Sequence, residues 1–166
     1  MIEEYIKSRG HSMKEKTWKF IDKSSWPDGP WKTEPDKIQW IDKKTGLDCL
    51  MVRNNLMGFW WGYVGVTKEH KHYMTGYNDI NNVNVHGDLT FAAKCQQEDK
   101  GHGICHIPEN GRPNDIWWFG FDCAHHGDLY PQTLTLGFPK LFSNSAKYRD
   151  MTYVKKEVRH LARQLI

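Results

Sequence analysis

Two short aromatic segments constrain the fold of this chain more than any other feature. Residues 59–66, FWWGYVGV, and residues 115–123, DIWWFGFDC, are both of strand length, and the second is apolar on both of its faces. Strands that are apolar on both faces are typical of the buried centre of a sheet. Neither segment approaches the ~20 apolar residues that a membrane-spanning helix needs. We therefore expect both segments to be buried strands of a globular domain.

The neighbouring segments predict further strands. Residues 37–42, KIQWID, and residues 47–54, LDCLMVRN, flank the short loop KKTG, whose Gly46 suits a left-handed backbone position. This pattern predicts a β-hairpin. Residues 83–93, VNVHGDLTFAA, predict another strand farther along the chain.

The C-terminal segment has the clearest helical pattern. Apolar residues recur there at spacings of three and four, which is the period of an amphipathic helix: Met151, Val154, Val158, Leu161 and Leu165. Asp150 precedes them and can cap the start of the helix. Strands and helix together predict an α+β fold, an antiparallel-rich sheet packed by a C-terminal helix.

Length and composition indicate how the chain divides. A chain of 166 residues fits one domain with a real core. Residues 1–24 hold scattered apolar residues among many charges, and Gly10 interrupts them, so we expect a helical or flexible N-terminal extension. Residues 25–166 are expected to form a single α+β domain.

Charge and cysteine usage limit the expected partners and location. A net charge of +3 is too small to argue for a nucleic-acid partner. Without the apolar core of a secretion signal or a membrane span, we expect no membrane partner and a cytoplasmic protein, in the host cell if it is phage-encoded. Cytoplasmic thiols stay reduced, and the four cysteines show no paired short spacing, so no disulfide framework is predicted.

The tetrapeptide HGDL occurs twice in the chain. One copy begins at His86 and the other at His126. Gly and Asp are turn residues, so turn chemistry alone could explain the repetition. Each copy also places an imidazole near a carboxylate, which orients the ring and raises its basicity for proton transfer. The repeat therefore predicts either two turns or a paired acid–base site.

The second copy lies in a dense group of polar residues directly after an aromatic strand. The candidate catalytic residues are His86, Asp122, His125, His126 and Asp128. Cys123 could serve as a nucleophile beside His125, although a cysteine after an aromatic strand is more typical of the core. We favour acid–base chemistry by the histidines, with the carboxylates orienting them.

Metal binding is a further hypothesis. Residues 122–128 offer carboxylate, thiol and imidazole ligands, and a second group combines Cys95, His102, Cys105 and His106. Neither group has the two close ligand pairs that structural zinc sites usually show. The sequence therefore does not identify a metal, and a divalent ion is kept as a candidate cofactor.

The aromatic residues suggest a surface for a flat ligand. Most of the eight tryptophans belong in a core, but some could stack on a purine ring. The candidate ligand-binding residues are Tyr63, Trp61, Trp117, Cys123 and Thr90.

Several segments resemble a family of small phage and bacterial proteins that has no established activity. The resemblance covers residues 26–166, in the segments TEPDKIQWIDKKTGLDCLMVRN, GYVGV, VHGDLTF, WWFGFDCAHHGD and YRDMTYVKKEVRHLARQL. WWFGFDCAH, followed by GD, is its most specific part. Family members often have glycine at the position of Asp88, and this implies a lesser role for that carboxylate.

The phage setting implies a class of function. The chain is similar in kind to small phage proteins with an aromatic, polar-rimmed pocket that counter bacterial immune signalling, some by cleaving a nucleotide signal and others by sequestering it. The first hypothesis is a hydrolase of phosphodiesterase type that acts on a cyclic-nucleotide or ADP-ribose-type signal. The alternative is a non-catalytic sponge that binds such a signal. A third hypothesis is a phage structural or host-interaction protein that uses a flat aromatic surface. The sequence is also compatible with a homo-oligomer.

Overall fold

The computed structural model describes residues 15–95, 104–108, 111–136 and 145–166. Within these residues, six strands form an antiparallel sheet in the order β1-β2-β3-β4-β6-β5, and β7 and β8 form a separate parallel pair. The strands are β1 (Lys16–Trp18), β2 (Lys37–Ile41), β3 (Asp48–Arg53), β4 (Trp60–Thr67), β5 (Phe91–Lys94), β6 (Ile116–Asp122), β7 (Asp128–Leu129) and β8 (Lys147–Tyr148). The helices are α1 (Pro131–Thr135) and α2 (Met151–Gln164), with single 3₁₀ turns at Pro30–Lys32 and Tyr77–Asp79.

The predicted α+β architecture is confirmed, with α2 packed on one face of the sheet. Val154, Val158 and Leu161 of α2 are fully buried in the core formed with that face. A side chain at Gly62 of β4 would collide with Phe121 and Val158, so the glycine allows the helix to approach the strands closely. As expected, Asp150 caps the helix, because its Oδ1 accepts a hydrogen bond of 2.8 Å from the backbone N–H of Tyr153.

The opposite face of the sheet carries a second, smaller core. Leu50, Tyr63 and Trp118 are buried there, and residues 104–108 lie against it. The side chain of Gln39 forms two hydrogen bonds of 2.7 Å with the backbone of Ile107, which attaches this segment to β2. The sequence-based expectation that both faces of β6 are buried is therefore confirmed.

The hairpin prediction is also confirmed, whereas the strand predicted over residues 83–93 is too long. β2 and β3 pair antiparallel, and Gly46 has a φ of 74° in the loop between them. Only Phe91–Lys94 forms a strand, because Gly87 and Asp88 have φ values of 64° and 65°, which belong to a turn and interrupt an extended chain.

Two further expectations differ from the structure. Lys16–Trp18, predicted as part of a helical or flexible extension, forms β1 and pairs with β2. Residues 1–14 lie outside the described residues, so the boundary at residue 24 stays a prediction. Cys95 and Cys105 are joined by a disulfide, contrary to the expectation that the thiols stay reduced. The two cysteines are ten residues apart, so no short paired spacing marked them in the sequence.

A buried ionic network fixes the segment before α2. Arg53 is 1% exposed, and its Nη2 lies 2.8 Å from Glu34 Oε2. The same Glu34 oxygen accepts a 2.6 Å hydrogen bond from Tyr148 Oη, and Oε1 accepts one of 3.0 Å from the backbone N–H of Met151. This network holds Tyr148 and Met151, which flank Arg149 and Asp150 in the sequence.

In the described part of the chain, no helix is long and apolar enough to cross a membrane.

Candidate functional site

The two HGDL copies form the same kind of turn. The backbone N–H of Asp88 donates to Val85 O at 3.0 Å, and that of Asp128 donates to His125 O, also at 3.0 Å. The glycine in each turn has a positive φ, 64° for Gly87 and 89° for Gly127. A positive φ at the third residue is what a type II turn requires, and glycine adopts it without strain.

The histidine of the first copy pairs with the aspartate of the second. His86 Nε2 lies 2.7 Å from Asp128 Oδ2. Asp128 is 1% exposed and also accepts hydrogen bonds from Arg149 Nε at 2.8 Å and from the backbone N–H of His125 at 3.0 Å. Burial alone would raise the pKa of this carboxyl, but the hydrogen bonds from His86 and Arg149 outweigh burial and hold the pKa below its usual range. Asp128 is therefore an ionised acceptor.

The other ring nitrogen of His86 faces helix α2. His86 Nδ1 lies 2.9 Å from Tyr153 Oη, and the His86 backbone N–H donates to Glu157 Oε2 at 3.0 Å. An ionised carboxylate can only accept, so His86 Nε2 carries the proton shared with Asp128. In the neutral ring Nδ1 is then the acceptor, and the Tyr153 hydroxyl donates to it.

A second imidazole–carboxylate pair lies beside the first. His125 Nε2 is 3.2 Å from Asp122 Oδ1, and their side chains are 35% and 21% exposed. This is an ionic contact without hydrogen-bond geometry, because the buried Nε2 has no hydrogen-bond partner among the described residues. Asp122 accepts hydrogen bonds from Thr90 Oγ1 and from the Ala124 backbone N–H, each at 3.1 Å. The His125 ring packs on the backbone of Gly87, where a Cβ would come within 2.1 Å of Nε2.

We call this assembly the histidine cluster. It consists of His86, Asp122, His125, Asp128, Arg149 and Tyr153, and it lies where β6 ends. The centroids of the two imidazole rings are 5.9 Å apart. Two groups that can exchange protons therefore lie within reach of one small molecule.

Half-buried aromatic rings adjoin the histidine cluster. Trp61 is the direct cross-strand partner of Asp122, so their side chains lie on the same face of the sheet. The Phe59 ring contacts Trp61 and Tyr130 edge to face, with centroids 5.2 Å and 5.5 Å apart. These rings form an aromatic surface next to the second imidazole–carboxylate pair.

The structure brings together four of the predicted catalytic residues and separates the fifth. His86, Asp122, His125 and Asp128 belong to the histidine cluster, whereas His126 is exposed on the turn. Asp88 is also exposed, as is expected of a residue without a role in the cluster.

The predicted ligand-binding residues are divided between several environments. Trp61 is half-buried, and exposed Thr90 contacts Asp122. Tyr63 is 3% exposed, within the second core. Cys123 is 2% exposed in the main core, and burial raises the pKa of its thiol, so it stays protonated. Trp117 lies on the other face from Trp61, where its Nε1 donates to Thr75 O at 3.1 Å.

Metal ligation finds little support among the described residues. They contain no group of three or more His, Cys, Asp or Glu side chains that could hold a metal ion. In the second predicted group, Cys95 and Cys105 form a disulfide, His106 is buried 5.3 Å from the Trp118 ring, and His102 lies outside the described residues. A thiolate site at these cysteines would require the disulfide to be reduced.

Sequence reasoning missed Arg149, Tyr153 and Glu157. Tyr153 and Glu157 are four residues apart, so they share one side of α2, beside the apolar stripe. A polar pair at helical spacing beside an apolar stripe was the available signal. It could not identify His86 as its partner, because His86 is 67 residues away from Tyr153 in the sequence.

Comparisons with known proteins add no relative. No family model matches the sequence, and neither curated proteins nor solved structures show significant similarity to it. Functional conclusions therefore come from the geometry of the histidine cluster.

Proposed function

We propose that this chain is a hydrolase of phosphodiesterase type that acts on a nucleotide-like small molecule, such as a cyclic-nucleotide or ADP-ribose-type immune signal. We also propose that it belongs to the family of small phage and bacterial proteins that its motifs resemble. One observation carries the catalytic part. Two imidazole–carboxylate pairs, His86–Asp128 and His125–Asp122, have ring centroids 5.9 Å apart.

Hydrolysis needs one group that removes a proton from the attacking nucleophile and one that delivers a proton to the leaving oxygen. Histidine does both near neutral pH, and a nearby carboxylate favours its protonated form. Asp128 is hydrogen-bonded to His86 Nε2, whereas Asp122 is an ionic neighbour of His125. His125, with 35% of its side chain exposed, is the imidazole that can contact a ligand directly. His86, whose side chain is 12% exposed, is the more deeply held partner.

The aromatic surface supports a nucleotide-like ligand. Phe59, Trp61 and Tyr130 offer half-buried rings on which a flat base can stack. The cross-strand pairing of Trp61 with Asp122 places this surface beside the acid–base groups. A stacked base would thus leave its phosphate or ribose near His125.

Sequestration is the second candidate function, and one observation favours it. Both ring nitrogens of His86 are hydrogen-bonded inside the protein, to Asp128 and to Tyr153. Such an imidazole can also have a purely structural role, in which it links the first HGDL turn to α2. A binding module would then use the aromatic surface without chemistry.

A mass-spectrometric assay separates the two functions. Purified protein is incubated with cyclic dinucleotides and ADP-ribose-type signals, and each mixture is analysed before and after heat denaturation. We expect a new product mass, and His125→Ala and His86→Ala should lower turnover by about 10²–10⁴-fold, the usual contribution of general acid–base catalysis.

Exposed His126 supplies the matched control. His126→Ala should turn over at the wild-type rate, because its side chain lies outside the histidine cluster. A signal that disappears from the free pool and returns unchanged on heating would establish the sponge instead. If no compound is bound or altered, both forms of the proposal fail.

A further inference from the structure

We propose that the Tyr153 hydroxyl is the nucleophile of the histidine cluster, activated by His86, which Asp128 orients. No sequence pattern assigned a role to this tyrosine. The inference rests on the proposed function for its substrate class, a phosphoester. The nucleophilic character of Tyr153 itself can be tested without any nucleotide.

A continuous chain of hydrogen bonds carries the inference. Arg149 Nε donates to Asp128 Oδ1 at 2.8 Å, Asp128 Oδ2 pairs with His86 Nε2 at 2.7 Å, and His86 Nδ1 faces Tyr153 Oη at 2.9 Å. Because Asp128 fixes the proton on Nε2, Nδ1 is left as the base that faces the phenol. A nucleophile within hydrogen-bond reach of a base that is itself oriented by a third group is the arrangement of a catalytic triad.

The surroundings of Tyr153 suit a phenol that is activated only during reaction. Burial and the nearby Glu157 carboxylate raise the pKa of Tyr153, so the hydroxyl is protonated at rest. A base is then needed to accept its proton when it attacks. The Arg149 guanidinium lies 4.9 Å from the centroid of the Tyr153 ring, where its positive charge would stabilise a developing phenoxide.

The first step forms a phosphotyrosyl ester. Tyr153 Oη attacks phosphorus while its proton passes to His86 Nδ1, and the bond from phosphorus to the leaving oxygen breaks. Protonated His125 gives its proton to that oxygen, so an alcohol departs. Asp128 balances the positive charge on His86, since the two side chains form a hydrogen-bonded pair.

The second step restores the enzyme. Water attacks phosphorus, and neutral His125 takes the proton from that water. The bond from phosphorus to Tyr153 Oη breaks, and the phenoxide recovers its proton from His86. The sum of the two steps is hydrolysis of one phosphoester bond by one water molecule.

A phosphorylating reagent tests this inference directly. Diisopropyl fluorophosphate reacts with activated hydroxyl groups, forming an oxygen–phosphorus bond and releasing fluoride. Full-length protein is treated with the reagent, and the modified residues are mapped by peptide mass spectrometry. Tyr77, which is 37% exposed, serves as the internal comparison within the same molecule.

We expect Tyr153 to be labelled at least about 10²-fold faster than Tyr77, since an adjacent general base contributes on that order. His86→Gln and Asp128→Asn should lower the Tyr153 labelling rate by a similar factor, whereas His126→Gln should leave it unchanged. Labelling of Tyr153 no faster than that of Tyr77 would overturn the inference. So would an unchanged rate in a His86→Gln variant that retains wild-type circular dichroism.

The nucleotide assay distinguishes failure of this inference from failure of the proposed function. If nucleotides are cleaved and Tyr153→Phe cleaves them at the wild-type rate, Tyr153 is not the nucleophile and the hydrolase stands. If Tyr153 is labelled selectively but no nucleotide is cleaved, the substrate class is wrong and the nucleophile stands.

Discussion

The two HGDL copies adopt the same turn yet present opposite residues to the protein interior. In the first copy His86 points into the histidine cluster and Asp88 is exposed, and in the second copy His126 is exposed and Asp128 is 1% exposed. The imidazole–carboxylate pair His86–Asp128 therefore forms between the copies and not within either one. The repeated tetrapeptide specifies the turn, and the neighbouring elements determine which side chain is buried.

Different neighbours explain the difference between the copies. The β7–β8 pairing brings Lys147 opposite Asp128, so the following Arg149 can bind the second-copy carboxylate. Among the described residues, no strand pairing involves Asp88, which lies exposed in its turn with a backbone φ of 65°. Helix α2 instead binds the first copy through its histidine, since Tyr153 contacts the His86 ring.

Substituting the two aspartates should reveal the largest difference in stability between the two HGDL copies. Asp128→Asn removes a buried charge that accepts from His86, Arg149 and the His125 backbone, and it leaves Arg149 without its partner. We expect the free energy of unfolding in urea to fall by about 3 kcal/mol, as for broken buried ion pairs. Asp88→Asn should change it by less than about 0.5 kcal/mol, as exposed substitutions usually do. Similar losses in the two variants would show that the copies are equivalent.

Alanine substitutions of the two turn glycines should differ by a smaller amount in their effect on stability. Alanine at either position incurs the strain of a left-handed backbone, roughly 1–2 kcal/mol. At Gly87 the added Cβ would also lie 2.1 Å from His125 Nε2, whereas at Gly127 no atom of the described residues lies within 4 Å. We expect Gly87→Ala to destabilise more than Gly127→Ala in urea unfolding, and only Gly87→Ala to move the ring NMR signals of His125. Unchanged His125 signals in Gly87→Ala would contradict the close packing.

The smallest effect concerns acid stability. The pKa of Asp128 lies below its ordinary value of 3.8 in the folded protein, because its hydrogen bonds outweigh burial. The carboxylate therefore stabilises the fold fully above that value, and the contribution is lost as pH falls through the lower folded pKa. Asp128→Asn should lose less stability than wild type when unfolding is followed from pH 5 to the acid limit, about pH 2. For Asp88→Asn, the free energy of unfolding should vary with pH as it does in the wild type. The same wild-type pH dependence in Asp128→Asn would contradict the lowered pKa of Asp128.

Local patterns in the sequence predict most of the fold. The hairpin, the buried strands β4 and β6 and the capped helix α2 each follow from periodicity and capping that lie within one segment. The strand expected over residues 83–93 is confirmed only in its last part, Phe91–Lys94, because Gly87 and Asp88 adopt positive φ values. The Cys95–Cys105 disulfide depends on tertiary proximity, which spacing alone does not reveal.

The site is only partly predictable because its hydrogen-bonded pair, His86–Asp128, joins distant segments, although Asp122 and His125 are three residues apart. Residue type marks His86, Asp122, His125 and Asp128 as candidates, since imidazoles and carboxylates carry proton-transfer chemistry. The pairing of His86 with Asp128 spans 42 residues, and no pattern in either copy specifies it. Arg149 and Tyr153 enter the cluster through β8 and α2, so they become visible only when these elements are assembled.

The protonation of the His86 ring tests the pairing between copies most directly. Proton–nitrogen NMR of labelled protein should find a proton on Nε2 of the His86 ring, in a signal that disappears in Asp128→Asn and persists in Asp88→Asn. This result would establish that the first-copy histidine is oriented by the second-copy aspartate, with Nδ1 directed as a base toward Tyr153. A His86 ring protonated on Nδ1 alone would contradict the account. So would an Nε2 proton signal that is lost in Asp88→Asn and retained in Asp128→Asn.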